Sequence, residues 1–79
     1  MQVYVVLIED ESAPAYINVF AAKQIAVKYA KAYVEKHAYQ KKDIEVNKLL
    51  SSGQVWQARY CPEGSTITVF EQKVIEAVK

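Results

Sequence analysis

AAKQIAVKYAKAYVEKH, residues 21–37, decides the fold, because it is the one long stretch whose pattern reads as helix and the segments on either side of it read as strands. Ala, Lys and Gln are good helix formers, and the stretch contains neither Gly nor Pro. Ala22, Ile25, Ala26, Tyr29, Tyr33 and His37 recur at helical spacing and predict an apolar stripe. Gln24, Lys28, Lys31 and Glu35 follow the same period on a polar side. The many alanines allow close approach to a sheet, and Lys36 and His37 suit the negative pole of the helix dipole.

Working back from the helix, AYINVF at 15–20 is rich in residues that favour strands and predicts a second strand, although the helix could instead extend back to Ala15. Before it, EDESAP at 9–14 reads as a loop: adjacent carboxylates repel, and Pro14 cannot donate to a ladder. QVYVVLI at 2–8 is apolar on both faces, Val3, Val5 and Leu7 against Tyr4, Val6 and Ile8, which predicts a central strand.

Working forward, DIEVNKLL at 43–50 alternates and predicts a third strand, followed by a Ser51-Ser52-Gly53 turn. QVWQARY at 54–60 alternates again, with Trp56, Ala58 and Tyr60 on one face and Val55, Gln57 and Arg59 on the other. Cys61-Pro62-Glu63-Gly64 has the composition of a type I turn, and STITVF at 65–70 is the return strand. The tail 71–79 fits strand or helix. The expected architecture is a single α+β domain over residues 1–79, order ββαβββ: a mainly antiparallel sheet of about five strands with one helix on one face and the other face open.

The 79 residues allow one domain. With 52% hydrophobic and 24% charged residues, the composition is that of a globular chain. No apolar run reaches membrane-spanning length and no signal-peptide pattern opens the chain, so no membrane role is expected. A formal charge of +1 argues against a strongly basic nucleic-acid binder and against an acidic decoy of DNA. One cysteine excludes an internal disulfide and a Cys-based zinc cluster, and fits a cytoplasmic setting. So small a core leaves a homodimer, through a sheet edge or the open face, as a second source of stability.

Few residues carry chemistry. His37 lacks a spaced nucleophile or co-ligand, Cys61 lies in a turn without a motif, and the Glu9-Asp10-Glu11 run lacks the alternation and Gly of a calcium loop. Catalytic residues, cofactor and metal are therefore not expected. Lys23, Lys28, Lys31, Lys36, Lys41 and Lys42 concentrate positive charge on and after the helix, either as a solvated exterior or as a patch for phosphate or an acidic protein. Gln57, Arg59, Thr66 and Thr68 are expected on a polar face beside Tyr4, Tyr16 and Asn18. The expected partner-binding set is Lys28, Lys31, Tyr16, Asn18, Gln57 and Arg59.

The order of elements resembles that of small phage-encoded proteins that block bacterial defence, among them anti-CRISPR proteins against type I systems. The strings that carry it are Val3-Tyr4-Val5-Val6-Leu7, the helix start Ala22-Lys23-Gln24-Ile25-Ala26, Gly53-Gln54-Val55-Trp56, and the segment beyond Glu63-Gly64. The resemblance implies a non-enzymatic inhibitor in the host cytoplasm that occludes a site on a protein or ribonucleoprotein complex, with the lysines and open sheet face as contacts. The near-neutral charge departs from the acidic DNA mimics. The alternative is a nucleic-acid-binding accessory domain, with helix lysines on phosphates and sheet aromatics on bases.

Overall fold

The computed structural model describes residues 2–10, 13–62 and 64–74. Strands β1 (Gln2–Asp10) and β2 (Ala13–Phe20) precede helix α1 (Lys23–His37). A short 3-10 turn, Lys41–Asp43, then leads to β3 (Glu45–Val46), β4 (Gln54–Arg59) and β5 (Thr66–Lys73). Among the described residues the sheet has five strands in the order β2-β1-β5-β4-β3, every pair antiparallel, and α1 packs on one face. This is the expected α+β architecture.

The two-sided apolar pattern of residues 2–8 has its cause here: β1 is flanked by β2 and β5, and Val6 and Ile8 face the helix. Register carries that face across the sheet. Val6 stands between Asn18 and Val69, and Ile8 between Tyr16 and Ile67. Trp56 pairs with Val69, and Ala58 with Ile67. Val6, Ile8, Ile67, Val69 and Ala58 are closed from the other side by Ala26, Ala30 and Val34 of α1, with Tyr60 and Cys61 at the end of the cluster.

The helix is rotated from the expected stripe. Ala26, Ala30 and Val34, each four residues on, are its buried line, whereas Ile25 is 54% exposed. Tyr29 and Tyr33 flank the buried line and pack against Phe20 and Tyr60 rather than beneath the helix axis. Alanine decides the rotation: its methyl lets the helix backbone settle close to the β-branched sheet, where isoleucine or tyrosine would hold it away. The helix begins at Lys23, with Ala22 as an N-cap that supplies no side-chain hydrogen bond.

Three boundaries also differ from the sequence reading. The loop expected at 9–14 is shorter, because Glu9 and Asp10 continue β1, and Ala13 and Pro14 begin β2, with a register shift between Ile8 and Asp10. β2 is an edge strand, so a proline without an N–H is tolerated there. The strand expected over 43–50 shrinks to Glu45–Val46. Asn47 ends it, its Oδ1 accepting a hydrogen bond from the Leu49 N–H at 3.0 Å, which bends the backbone out of line. In the tail, residues 71–73 continue β5, and 75–79 lie outside the described residues.

Both turns read from sequence close as expected. The Gln54 N–H donates to the Ser51 carbonyl at 3.0 Å, and the Gly64 N–H to that of Cys61 at 3.0 Å. Gly53 sits at φ +85°, a conformation that a side chain disfavours.

Candidate binding surfaces

Three surfaces emerge from this frame: the exterior of α1, a tyrosine cluster beside it, and the bare face of the sheet.

On the exterior of α1, Lys23, Lys28, Lys31 and Lys36 are all exposed, as are Lys41 and Lys42 beyond it. Residues 23–43 carry six lysines against Glu35 and Asp43, a net +4, which leaves the rest of the chain at −3 of its total of +1. Positive charge is therefore gathered in the helical layer. Among the described residues the ion pair formed is Arg59 with Glu45, on the sheet, so the helix lysines keep their charge available. Lys23, Gln24, Val27, Lys28 and Lys31 border an open groove of about 530 Å³ whose floor is apolar.

At the other flank of α1, Tyr16, Tyr29, Tyr33 and Tyr60 converge. Tyr29 lies 6.4 Å from Tyr33 between ring centroids, Tyr33 meets Tyr60 edge-on at 5.8 Å, and His37 stacks on Tyr33 at 4.1 Å. The Asn18 amide Nδ2 donates to the Tyr29 hydroxyl at 3.2 Å. Burial raises Tyr29, Tyr33 and Tyr60 above the usual phenol range, and a hydrogen bond with Tyr33 raises Tyr16. Asp10 adds to the effect on Tyr33 and Tyr60 by charge repulsion. The Tyr60 hydroxyl is buried with no hydrogen bond of good geometry among the described residues, although Tyr33 and Ser65 are its neighbours. These rings wedge the helix flank to β2 and form the wall of the core. On the same face of the sheet, the Tyr4 hydroxyl donates to Glu71 Oε2 at 3.1 Å, which raises Tyr4.

The bare face is graded. One row runs Ile17, Leu7, Thr68 and Gln57 across β2, β1, β5 and β4, and the next runs Val19, Val5, Phe70 and Gln54. The β2 side is apolar, with Ile17 59% and Val19 61% exposed. The β4 side is polar and internally bonded. The Gln57 amide Nε2 donates to Thr68 Oγ1 at 3.0 Å, and Asn47 Nδ2 donates to Gln57 Oε1 at 2.8 Å. In the adjoining row the Arg59 guanidinium donates to Glu45 Oε2 at 2.8 Å.

The partner-binding residues expected from sequence thus fall on three surfaces. Lys28 and Lys31 stand on the helix exterior. Gln57 and Arg59 share the bare face with Thr66 and Thr68, as their alternation predicts. Tyr16, Asn18 and Tyr4 are on the opposite, helix-covered side, in register with Ile8, Val6 and Glu71. Their placement beside Gln57 and Arg59 is corrected, because strands β2 and β1 carry even-numbered residues toward the helix whereas β4 carries its odd-numbered Gln57 and Arg59 away from it. Ile17 and Val19, absent from the expected set, are exposed apolar residues on the β2 side of the bare face, and the signal for them was their alternation with Tyr16, Asn18 and Phe20.

Cys61 is buried at the start of its turn, and His37 is exposed with one ring face against Tyr33. Glu9 and Asp10 close the β1 end, and Glu11 lies outside the described residues. Among the described residues no group of three or more His, Cys, Asp or Glu is placed to hold a metal, and no helix is long and apolar enough to cross a membrane. Comparison of the chain with protein-family models, with curated proteins and with solved structures finds no match in any of the three.

Proposed function

We propose that this protein is a non-enzymatic binder that docks the lysine face of α1 on an acidic surface of a larger host assembly and acts by occlusion. The observation that carries this reading is charge segregation: a net +4 over residues 23–43 in a chain whose total is +1. A merely solvated exterior needs no such bias, and lysines that form no ion pair among the described residues can steer and hold an acidic partner. The target class is a nucleic-acid-processing protein or ribonucleoprotein complex of the kind blocked by the small phage anti-defence proteins that the chain resembles in element order. The protein would then work in the cytoplasm of the host cell.

Base stacking on the sheet is less well supported. Tyr4, Tyr16, Phe20 and Trp56 are in register on the helix-covered side, and Phe70 is the aromatic of the bare face. A nucleic-acid partner would therefore be held through phosphates alone.

The test is affinity capture from nuclease-treated host extract with the wild type and with Lys28→Glu/Lys31→Glu. A stoichiometric complex that survives nuclease and is lost in the variant is the expected result. Capture that disappears on nuclease treatment, together with steep salt-dependent retention on nucleic acid alone, would replace this reading with phosphate binding. Equal capture by both forms would remove the helix from the contact.

A further inference from the structure

We infer that the bare sheet face is the interface of a symmetric homodimer, stacked sheet on sheet, with the basic helical layers of both copies facing outward. This goes beyond the proposed docking role of α1 and rests on separate residues. The buried cluster of one chain is small: three of its members are alanine, and apart from Tyr60 at one end its largest buried side chains are Ile8, Ile67, Val6, Val34 and Val69. Against that small core, Ile17 and Val19 stand 59% and 61% exposed beside Val5, Leu7 and Phe70.

The polar half of the face fits stacking too. Asn47, Gln57 and Thr68 are already joined in one hydrogen-bonded line, and Arg59 is paired with Glu45, so covering them strands few polar groups. Thr68 is 2% exposed in the single chain already.

Area and charge select a second copy as the occupant. Strands of nine, eight, eight, six and two residues, spaced about 4.8 Å and rising about 3.3 Å per residue, present about 500 Å² in plan. Accessible area exceeds plan area, so two faces stacked in full overlap bury more than about 1,000 Å², the size a specific interface needs. Pairing through the helical layers would set +4 against +4, whereas the sheet face carries Arg59 with Glu45 and Glu9 and meets its own copy without such repulsion. Sheet-on-sheet packing at about 10 Å is a standard way to bury such a face.

Sedimentation equilibrium from about 1 μM to about 500 μM is expected to show mass rising from 9.0 kDa toward twice that value. Tm is expected to rise by about 5 °C or more over the same range, as mass action requires of a dimer. Ile17→Lys/Val19→Lys changes only exposed positions; it should keep the wild-type circular dichroism, stay monomeric throughout, and lose the concentration dependence of Tm. Lys28→Glu/Lys31→Glu should stay dimeric, so its loss of target capture would speak to the docking role alone. A wild type that is monomeric at the highest concentration, leaving the face to some other protein, overturns the proposal. So does a lysine-substituted β2 that dimerises as before.

Discussion

Replacing Ala30 with leucine tests the rotation of the helix. Ala30 is 0% exposed and lies in one cluster with Val6, Ile67 and Val69, where α1 comes down on β1 and β5. Leucine adds three carbon atoms at a point where helix and sheet are already in contact. They fit only if the helix lifts, which also opens gaps at Ala26 and Val34, or if neighbouring side chains leave their rotamers. Overpacking of this kind costs about 1–3 kcal/mol, and the upper end is expected because two rigid elements would have to separate. For a chain of this length that is about 10–20 °C in Tm. Ala32→Leu is the control: the position is exposed and leucine is nearly as good a helix former, so the change stays within about 0.5 kcal/mol. Urea denaturation followed by Trp56 fluorescence, with calorimetry for Tm, gives both values. An Ala30→Leu variant as stable as wild type, or an equally damaged Ala32→Leu, would show that the helix seats on a different line and refute the argument.

Two further outcomes follow from the packing and the phenols. Trp56 is half-buried at the rim of the core, near Val34, Ile44 and Val46, so Trp56→Ala should cost about 2 kcal/mol, below the roughly 3–5 kcal/mol of a fully buried ring; chemical denaturation followed by circular dichroism measures it, and an unchanged midpoint would place the ring in solvent. Tyr4, Tyr16, Tyr29, Tyr33 and Tyr60 are all raised above the ordinary phenol value of 10.0 in the fold. The folded state then holds these protons more tightly than the unfolded chain, so their contribution is fully present below about pH 10 and is lost as pH rises through the higher folded-state values. Denaturation midpoints at pH 8, 10 and 11 should be level and then fall, with phenolate absorbance appearing as the chain unfolds; full ionisation in a chain that stays folded would contradict the packing of the cluster.

The legible and illegible parts of this fold differ in physical kind. Strand β1 was legible because burial on both faces leaves an unbroken β-branched run, and the two turns because Gly53 and the Pro62–Gly64 pattern meet a specific backbone need. The seat of the helix was not, because hydrophobicity ranks Ile25 and Tyr29 above Ala30, while close packing favours the small side chain. The short β3 was hidden by the Ile44–Val46 alternation, which a turn-forming Asn47 overrides. Of the candidate contacts, the helix lysines and the Gln57–Arg59 face followed from periodicity alone. The grouping of Tyr16 and Asn18 with that face did not, because which parity of each strand faces the helix is settled by register between strands far apart in sequence.

Strand β5, the last of the described strands in chain order, occupies the middle of the sheet between β1 and β4. Gln2 pairs with Lys73, and Ile8 with Ile67, so the central ladder joins the earliest described residues to the latest. A ribosome that has released the chain only as far as residue 60 has therefore produced two separate pieces, β2 with β1 and β4 with β3, and no strand to zip them together. The apolar faces of both pieces stay wet until β5 emerges, and long-range closure of this sort is slow. Ile17 and Val19 are then exposed alongside Val6 and Ile8, and the interval before closure is when this small protein is most open to capture by chaperones or by its own neighbours.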